Sequence, residues 1–193
     1  MRVLLIHAHP DPQSYNAALK KAAIAALSVR HEVREIDLYA EDFQPVLTRQ
    51  EWRDYEAGPP DSGTVADHVA LLNWAEALVF VYPTWWYGLP AIMKGWLDRI
   101  WLPGVAFSMP SEGDIRPSLT HVRKLAVITT CGASWWLTQI VGAPGRNTLI
   151  RGCGFLMAKG CRKVFLAHYS MDDSTPKSRA RYLDRVTRAM EAF

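Results

Sequence analysis

The chain has 193 residues and a mass of 21.8 kDa, enough for a single domain spanning residues 1–193 to bury its own core without disulfides or metals. Hydrophobic residues at 49% and charged residues at 21% exclude a disordered chain and a membrane-embedded one. Lys and Arg number 22 against 19 Asp and Glu, and a net charge of +3 points away from nucleic acid while leaving anionic small molecules open.

Residues 3–6 form an unbroken apolar run ending in His7-Ala8-His9-Pro10, the pattern of a strand buried on both faces of a parallel sheet. Tyr15, Leu19, Ala22, Ala23, Ala26 and Leu27 then recur at helical spacing, with Lys20 and Lys21 on the other face. Residues 32–38 alternate imperfectly and predict a second strand toward the sheet edge. Residues 39–62 are acidic, aromatic and punctuated by Pro and Gly, which predicts a surface excursion. A helix carrying Val65, Val69 and Leu72 leads to a third buried strand at 77–82, closed by Pro83.

Pro90 opens a helix whose pairs Ile92/Met93, Trp96/Leu97 and Ile100/Trp101 make a broad aromatic stripe. Residues 122–130 and 163–168 predict the fourth and fifth strands, and Leu183, Val186, Met190 and Phe193 form the stripe of a C-terminal helix. The longest uncharged run, 125–145, has membrane-spanning length, but its threonines, three glycines and a proline make it strand, loop and helix start. The N-terminal apolar stretch is too short for a signal-peptide core. Cys131, Cys153 and Cys161 are an odd number without metal-type spacing, so we expect no metal and a reducing, cytoplasmic setting.

Strands alternating with helices give an α/β fold with helices on both faces of a parallel sheet. Five strands favour the flavodoxin-like order 2-1-3-4-5, in which ligands lie beyond the carboxyl ends of the strands. Three strand-end segments therefore matter. After strand one, Ser14 can cap the helix, and the free N–H groups of its first turn attract phosphate, with His9 and Asn16 close by. The glycine-rich nicotinamide fingerprint and the Walker loop are both missing there. Capping and turn closure alone would also account for these residues.

After strand three come Pro83-Thr84-Trp85-Trp86-Tyr87-Gly88, three consecutive aromatics on a turn at the ligand edge. A planar heterocycle stacked there would bury about 150–250 Å², on the order of 4–6 kcal/mol. A phosphate at a helix end contributes only about 0.3–2 kcal/mol. Stacking should dominate affinity and the helix end should orient, unless the aromatics instead pack a core or subunit contact. After strand four, the small residues of Thr129-Thr130-Cys131-Gly132 let backbone N–H groups approach a ligand, although plain turn chemistry uses the same residues. Cys131 reads as a small turn residue, His31, His68, His121 and His168 carry no assigned role, and Asp11, Asp98 and Asp114 stay open as acids. Arg179, Arg181, Arg185 and Arg188 make a basic, solvated helix face, from which Arg179 or Arg181 could reach a cofactor phosphate.

Taken together, His9-Pro10 with Ser14-Tyr15-Asn16, the run Tyr82 to Arg99 and Thr129-Thr130-Cys131-Gly132 resemble the flavodoxin-like NAD(P)H:quinone oxidoreductases. That family includes DT-diaphorase, the bacterial drug-activity modulators and the ancillary subunits of potassium-efflux systems. The resemblance implies FAD, with FMN as the alternative, held by His9, Ser14, Tyr15, Asn16 and Ala17 at its phosphate and ribityl. Pro83, Thr84, Trp85, Trp86 and Tyr87 would then lie along the ring, and Thr129, Thr130, Cys131 and Gly132 along its other edge. It also implies NAD(P)H as donor, ping-pong hydride transfer to a quinone or similar planar acceptor, and a homodimer with active sites at the interface. The stripe of Ile92, Trp96, Ile100 and Trp101 would gain a second surface to bury there. A flavin-binding regulatory subunit of a membrane transporter is the alternative role. Two departures stand out: Cys131 replaces the usual first glycine of Thr-Thr-Gly-Gly, and the family's proton-handling tyrosine and histidine have no counterpart among Trp135, Trp136, Leu137 and Thr138.

Overall fold

The computed structural model describes residues 1–60, 63–110 and 114–193. Its strands are β1 (Arg2–His7), β2 (Glu32–Asp37), β3 (Ala77–Thr84), β4 (Phe107–Ser108), β5 (Arg116–Pro117), β6 (Lys124–Cys131) and β7 (Arg162–His168). Helices are α1 (Tyr15–Ser28), α2 (Arg49–Arg53), α3 (Thr64–Trp74), α4 (Ala91–Ile100), α5 (Trp135–Ile140), α6 (Pro144–Asn147) and α7 (Pro176–Glu191). Five strands make one parallel sheet in the order β2-β1-β3-β6-β7, which is the expected 2-1-3-4-5 when counted within the sheet.

Both sheet faces are buried, as the continuous apolar runs predict. On one face Val3, Leu5, Val79, Val81 and Ile128 pack against α1 and α7 through Leu19, Leu27, Val186 and Met190. On the other, Leu4, Ile6, Leu78, Phe80 and Val127 meet α3 and α4 through Val69, Leu72, Met93 and Trp96. The C-terminal stripe is Tyr182, Val186, Met190 and Phe193, with Leu183 only at its margin.

Several expectations are corrected. β3 does not close at Pro83 but runs on to Thr84, because β1 has already ended opposite Val81 and the missing Pro83 N–H faces no neighbouring strand. The α4 stripe has no second surface to cover: Ile92, Trp96, Ile100 and Trp101 are all buried in this chain's own core. Trp96 also donates its indole N–H to His68 Nδ1 at 3.2 Å, and His68 Nε2 meets Glu41 Oε2 at 2.8 Å, so His68 is a satisfied core histidine. Lys20, off the apolar stripe, bonds Glu35 at 2.6 Å and Asp37 at 2.8 Å on β2 through its ammonium, partners that the helical spacing did not name.

The excursion at 39–60 forms no strand, but it carries α2 and places Phe43 in the core. Its last two expected residues, 61 and 62, lie outside the described ones. The two-residue strands β4 and β5 pair antiparallel in the loop before β6, and strands that short leave no periodic signal. The uncharged run at 125–145 resolves into β6, a turn and α5 as predicted, and no helix among the described residues is long and apolar enough to cross a membrane.

Candidate functional site

The carboxyl ends of β3 and β6 lie side by side, with Pro83 opposite Thr130 and Thr84 opposite Cys131. Beyond them opens a hollow of about 550 Å³, lined by Pro83, Thr84, Trp85, Trp86 and Tyr87 from one side and Thr130, Cys131, Gly132 and Ala133 from the other. Met171 and Asp172, which follow β7, complete the lining. A volume in this range suits a small planar molecule.

The aromatic side is a tight turn. Gly88 N donates to Trp85 O at 3.0 Å, while Trp86 and Tyr87 adopt left-handed backbone with φ of 50° and 61°. Non-glycine residues there are uncommon, and consecutive bulky ones are a strain that clusters at ligand sites. The turn leaves Trp86 95% exposed and Trp85 42% exposed. Gly145 N donates to Tyr87 O at 3.1 Å, which ties the turn to α6.

The strand-end side is built differently. Thr129 is buried, its hydroxyl 2.8 Å from that of Thr84, and its carbonyl accepts the Tyr182 hydroxyl at 3.0 Å. Burial pushes the Tyr182 phenol well above the ordinary range. Thr129 itself lines an adjoining crevice with Tyr82, Tyr169 and Arg146 rather than the hollow. The Cys131 thiol is buried 3.8 Å from Thr138 Oγ1.

The residues after β1 stand apart from this lining. Ser14 caps α1 by accepting the Ala17 N–H at 3.1 Å, so the capping role is real and Ala17's donor is used by it. His9 approaches the aromatic turn, its ring centroid 6.5 Å from that of Trp85. The Tyr15 hydroxyl donates to Arg179 O at 2.7 Å, and burial pushes this phenol up to about 12. Asn16 is 2% exposed, yet neither its amide oxygen nor its amide nitrogen has a partner among the described residues. A buried, unpaired amide at the head of a fourteen-residue helix is the polar vacancy that a ligand would satisfy.

Other sequence candidates lie elsewhere. Asp11 accepts the Gln13 N–H at 2.8 Å, Asp98 pairs with Lys94 at 2.5 Å on α4, and Asp114 is exposed; none lines the hollow. Arg179 bonds Ser174, whereas Arg181, Arg185 and Arg188 are exposed as expected. Sequence reasoning missed Met171 and Asp172, although the rule that pointed beyond strands one, three and four applies equally to strand five. It also missed His7, whose Nδ1 lies 3.0 Å from Asp37 Oδ2 while its buried Nε2 has no partner.

Known proteins are similar to this chain in sequence and in fold. A family model described as a flavodoxin-like fold matches residues 1–149. The ribosyldihydronicotinamide dehydrogenase-like protein traD of Penicillium crustosum is 33% identical over 155 residues, which are 68% of this chain and 58% of that protein. NAD(P)H dehydrogenase (quinone) 1 of Rattus norvegicus is 28% identical over 98% of this chain and 76% of its own length. Among solved structures, an NAD(P)H:quinone oxidoreductase from Methanothermobacter marburgensis superposes with a TM-score of 0.83 at 26% identity, covering 99% of this chain and 96% of that one. With its five-strand order, its aromatic turn and these relatives, the chain belongs to the flavodoxin-like NAD(P)H:quinone oxidoreductase family.

Proposed function

We propose that this chain is a flavoenzyme that passes two electrons from NAD(P)H to quinones or similar planar acceptors, with FAD as its cofactor and FMN as the alternative. The observation that carries this is the Trp85–Trp86–Tyr87 turn, with Trp85 and Trp86 exposed and Trp86 and Tyr87 in left-handed backbone, facing the end of β6 across an open hollow. The residues fit a flavin: the hollow offers aromatic faces, and the buried, unpaired Asn16 amide waits at the N-terminus of α1 for a polar group. A bound flavin supplies the hydride chemistry, taking a hydride from the nicotinamide and giving it to the acceptor.

The protein's part is positioning and electrostatics. Trp86 and Tyr87 hold a ring by stacking, and the backbone N–H groups of the 84–87 turn and of Cys131-Gly132 give preformed dipoles that need no reorganisation when negative charge develops. Ser14, Tyr15 and Asn16, with His9, orient the phosphate and ribityl end; Thr129 braces Thr84 from behind. Three free cysteines support the cytoplasmic setting. A homodimer is also proposed; with the α4 stripe already buried, the exposed run of Trp135, Trp136, Ile140 and Val141 at α5 is the apolar surface that supports a second copy.

Stopped-flow absorbance on the purified holoprotein tests the activity. Bleaching of the flavin by NADH or NADPH, then recovery on adding a quinone, is expected; a flavin bleached by neither donor ends the proposal. Mass identification of the released cofactor separates FAD from FMN.

A further inference from the structure

The hollow carries a single formal charge among the described lining residues, and that charge is negative. Asp172 stands on a one-turn 3-10 helix, Met171–Asp173, directly after β7, and the other ten lining residues are uncharged. Its Oδ2 lies 2.5 Å from the point where a Cβ on Gly132 would stand. The absent side chain at Gly132 is thus what lets the carboxylate rest against the end of β6.

Among the described residues Asp172 forms no salt bridge, and no cation lines the hollow with it. Arg146 lines the adjoining crevice and lies over the Phe165 ring at 5.5 Å. The Arg179 guanidinium is engaged with Ser174. Asp173, exposed beside Asp172, adds the same sign. A chain with a net charge of +3 therefore presents a local negative field at its ligand rim, the reverse of what its overall charge favours.

We propose that Asp172 determines acceptor specificity, making the site select neutral planar acceptors over anionic ones of the same ring system. This rests on the proposed reductase function. A carboxylate at a partly solvated rim repels an anionic substituent about 6 Å away by enough to weaken its binding roughly threefold to tenfold, and leaves a neutral ring untouched. The effect is on binding and not on the chemical step, so it appears in KM and not in kcat.

The test compares naphthoquinone with naphthoquinone sulfonate on the holoprotein, wild type against Asp172→Asn and Asp172→Glu. Binding is read from quenching of tryptophan fluorescence in the absence of NAD(P)H, and KM from turnover. Asp172→Asn should tighten the sulfonate roughly threefold to tenfold at low salt while the neutral quinone stays within about twofold, and Asp172→Glu should keep the wild-type preference. The difference should shrink in about 1 M salt. An unchanged sulfonate-to-neutral ratio in Asp172→Asn, or equal changes for both ligands, overturns the assignment. A flavin that NAD(P)H does not bleach, with the binding ratio still shifted by Asp172→Asn, would instead remove the reductase function and leave the charge selectivity standing.

Discussion

The two sides of the hollow are made from opposite materials. The turn after β3 is exposed and strained, with Trp86 almost wholly in solvent and two bulky residues in left-handed backbone. The end of β6 is buried and braced, with Thr129 hydrogen-bonded to Thr84 and Tyr182. Strain and exposure contribute nothing to folding, and they persist where a ligand uses them. Braced strand ends hold geometry and contribute to stability. On the proposed function, the exposed turn is the side that supplies stacking faces and the braced strand end is the side that holds geometry.

Replacing Trp86 by alanine is the sharpest way to break that contrast. It should weaken flavin binding to the apoprotein by about 1–3 kcal/mol, roughly tenfold to a hundredfold, and more than His9→Ala does. Its melting temperature should stay near wild type, since a side chain so exposed loses little packing. Equilibrium titration decides it: equal losses, or a larger loss at His9, would mean that orientation outweighs stacking.

Thr129→Val tests the other side. It removes the partner of the Thr84 hydroxyl and should cost about 1–2 kcal/mol of stability, read from denaturant unfolding, with a smaller change in flavin affinity. A variant as stable as wild type would show that the brace is dispensable.

Acid should act on the buried strand ends and spare the aromatic turn. At the end of β1, burial holds the His7 imidazole below its ordinary value despite the Asp37 carboxylate beside it. Folded His7 stays neutral where the unfolded chain takes up a proton, so stability is lost as pH falls through about 6.5 toward the lowered folded value. Asp37 is partly buried, and the hydrogen bonds from Lys20 and His7 outweigh that burial and lower its carboxyl. Its contribution is present above about 3.9 and disappears as pH falls through the folded value. Thermal melts should therefore decline in two steps below neutrality, and His7→Gln should reduce the first, to which His31, also lowered by burial, adds.

Gly132→Ala should have the smallest effect on stability, under about 1 kcal/mol, because the added methyl meets the movable end of Asp172 and no backbone. Gly95→Ala provides the contrast, as its methyl would collide with the backbone of Pro45 beneath α4. Comparable losses at the two glycines would show that Asp172 is held more firmly than its exposure suggests.

Much of this was legible in residue order. Continuous apolar runs specify strands buried on both faces, and their alternation with helices fixed the parallel order and placed ligand chemistry at the ends of β1, β3 and β6. The aromatic turn was visible because three consecutive aromatics between a proline and a glycine cannot all be core residues. The fate of the α4 stripe was not legible, because periodicity shows that a face is apolar and not whether its own chain or a second copy covers it. The partners of Lys20 were not legible for a related reason: helical spacing turned it away from the apolar stripe, but only the neighbouring β2 supplied Glu35 and Asp37 to hold it.

What the sequence determined by itself, then, was the kind of sheet, and with it the rim at which we propose a planar ligand is met, because both follow from local periodicity and from the chirality of strand crossovers. Only the tertiary structure decided which groups share that rim. It brought Asp172 against Gly132, forty residues away in the chain, and it left Asn16 buried without a partner. Such pairings depend on how far a loop reaches once the strands are in register, and no local pattern of residues encodes that distance.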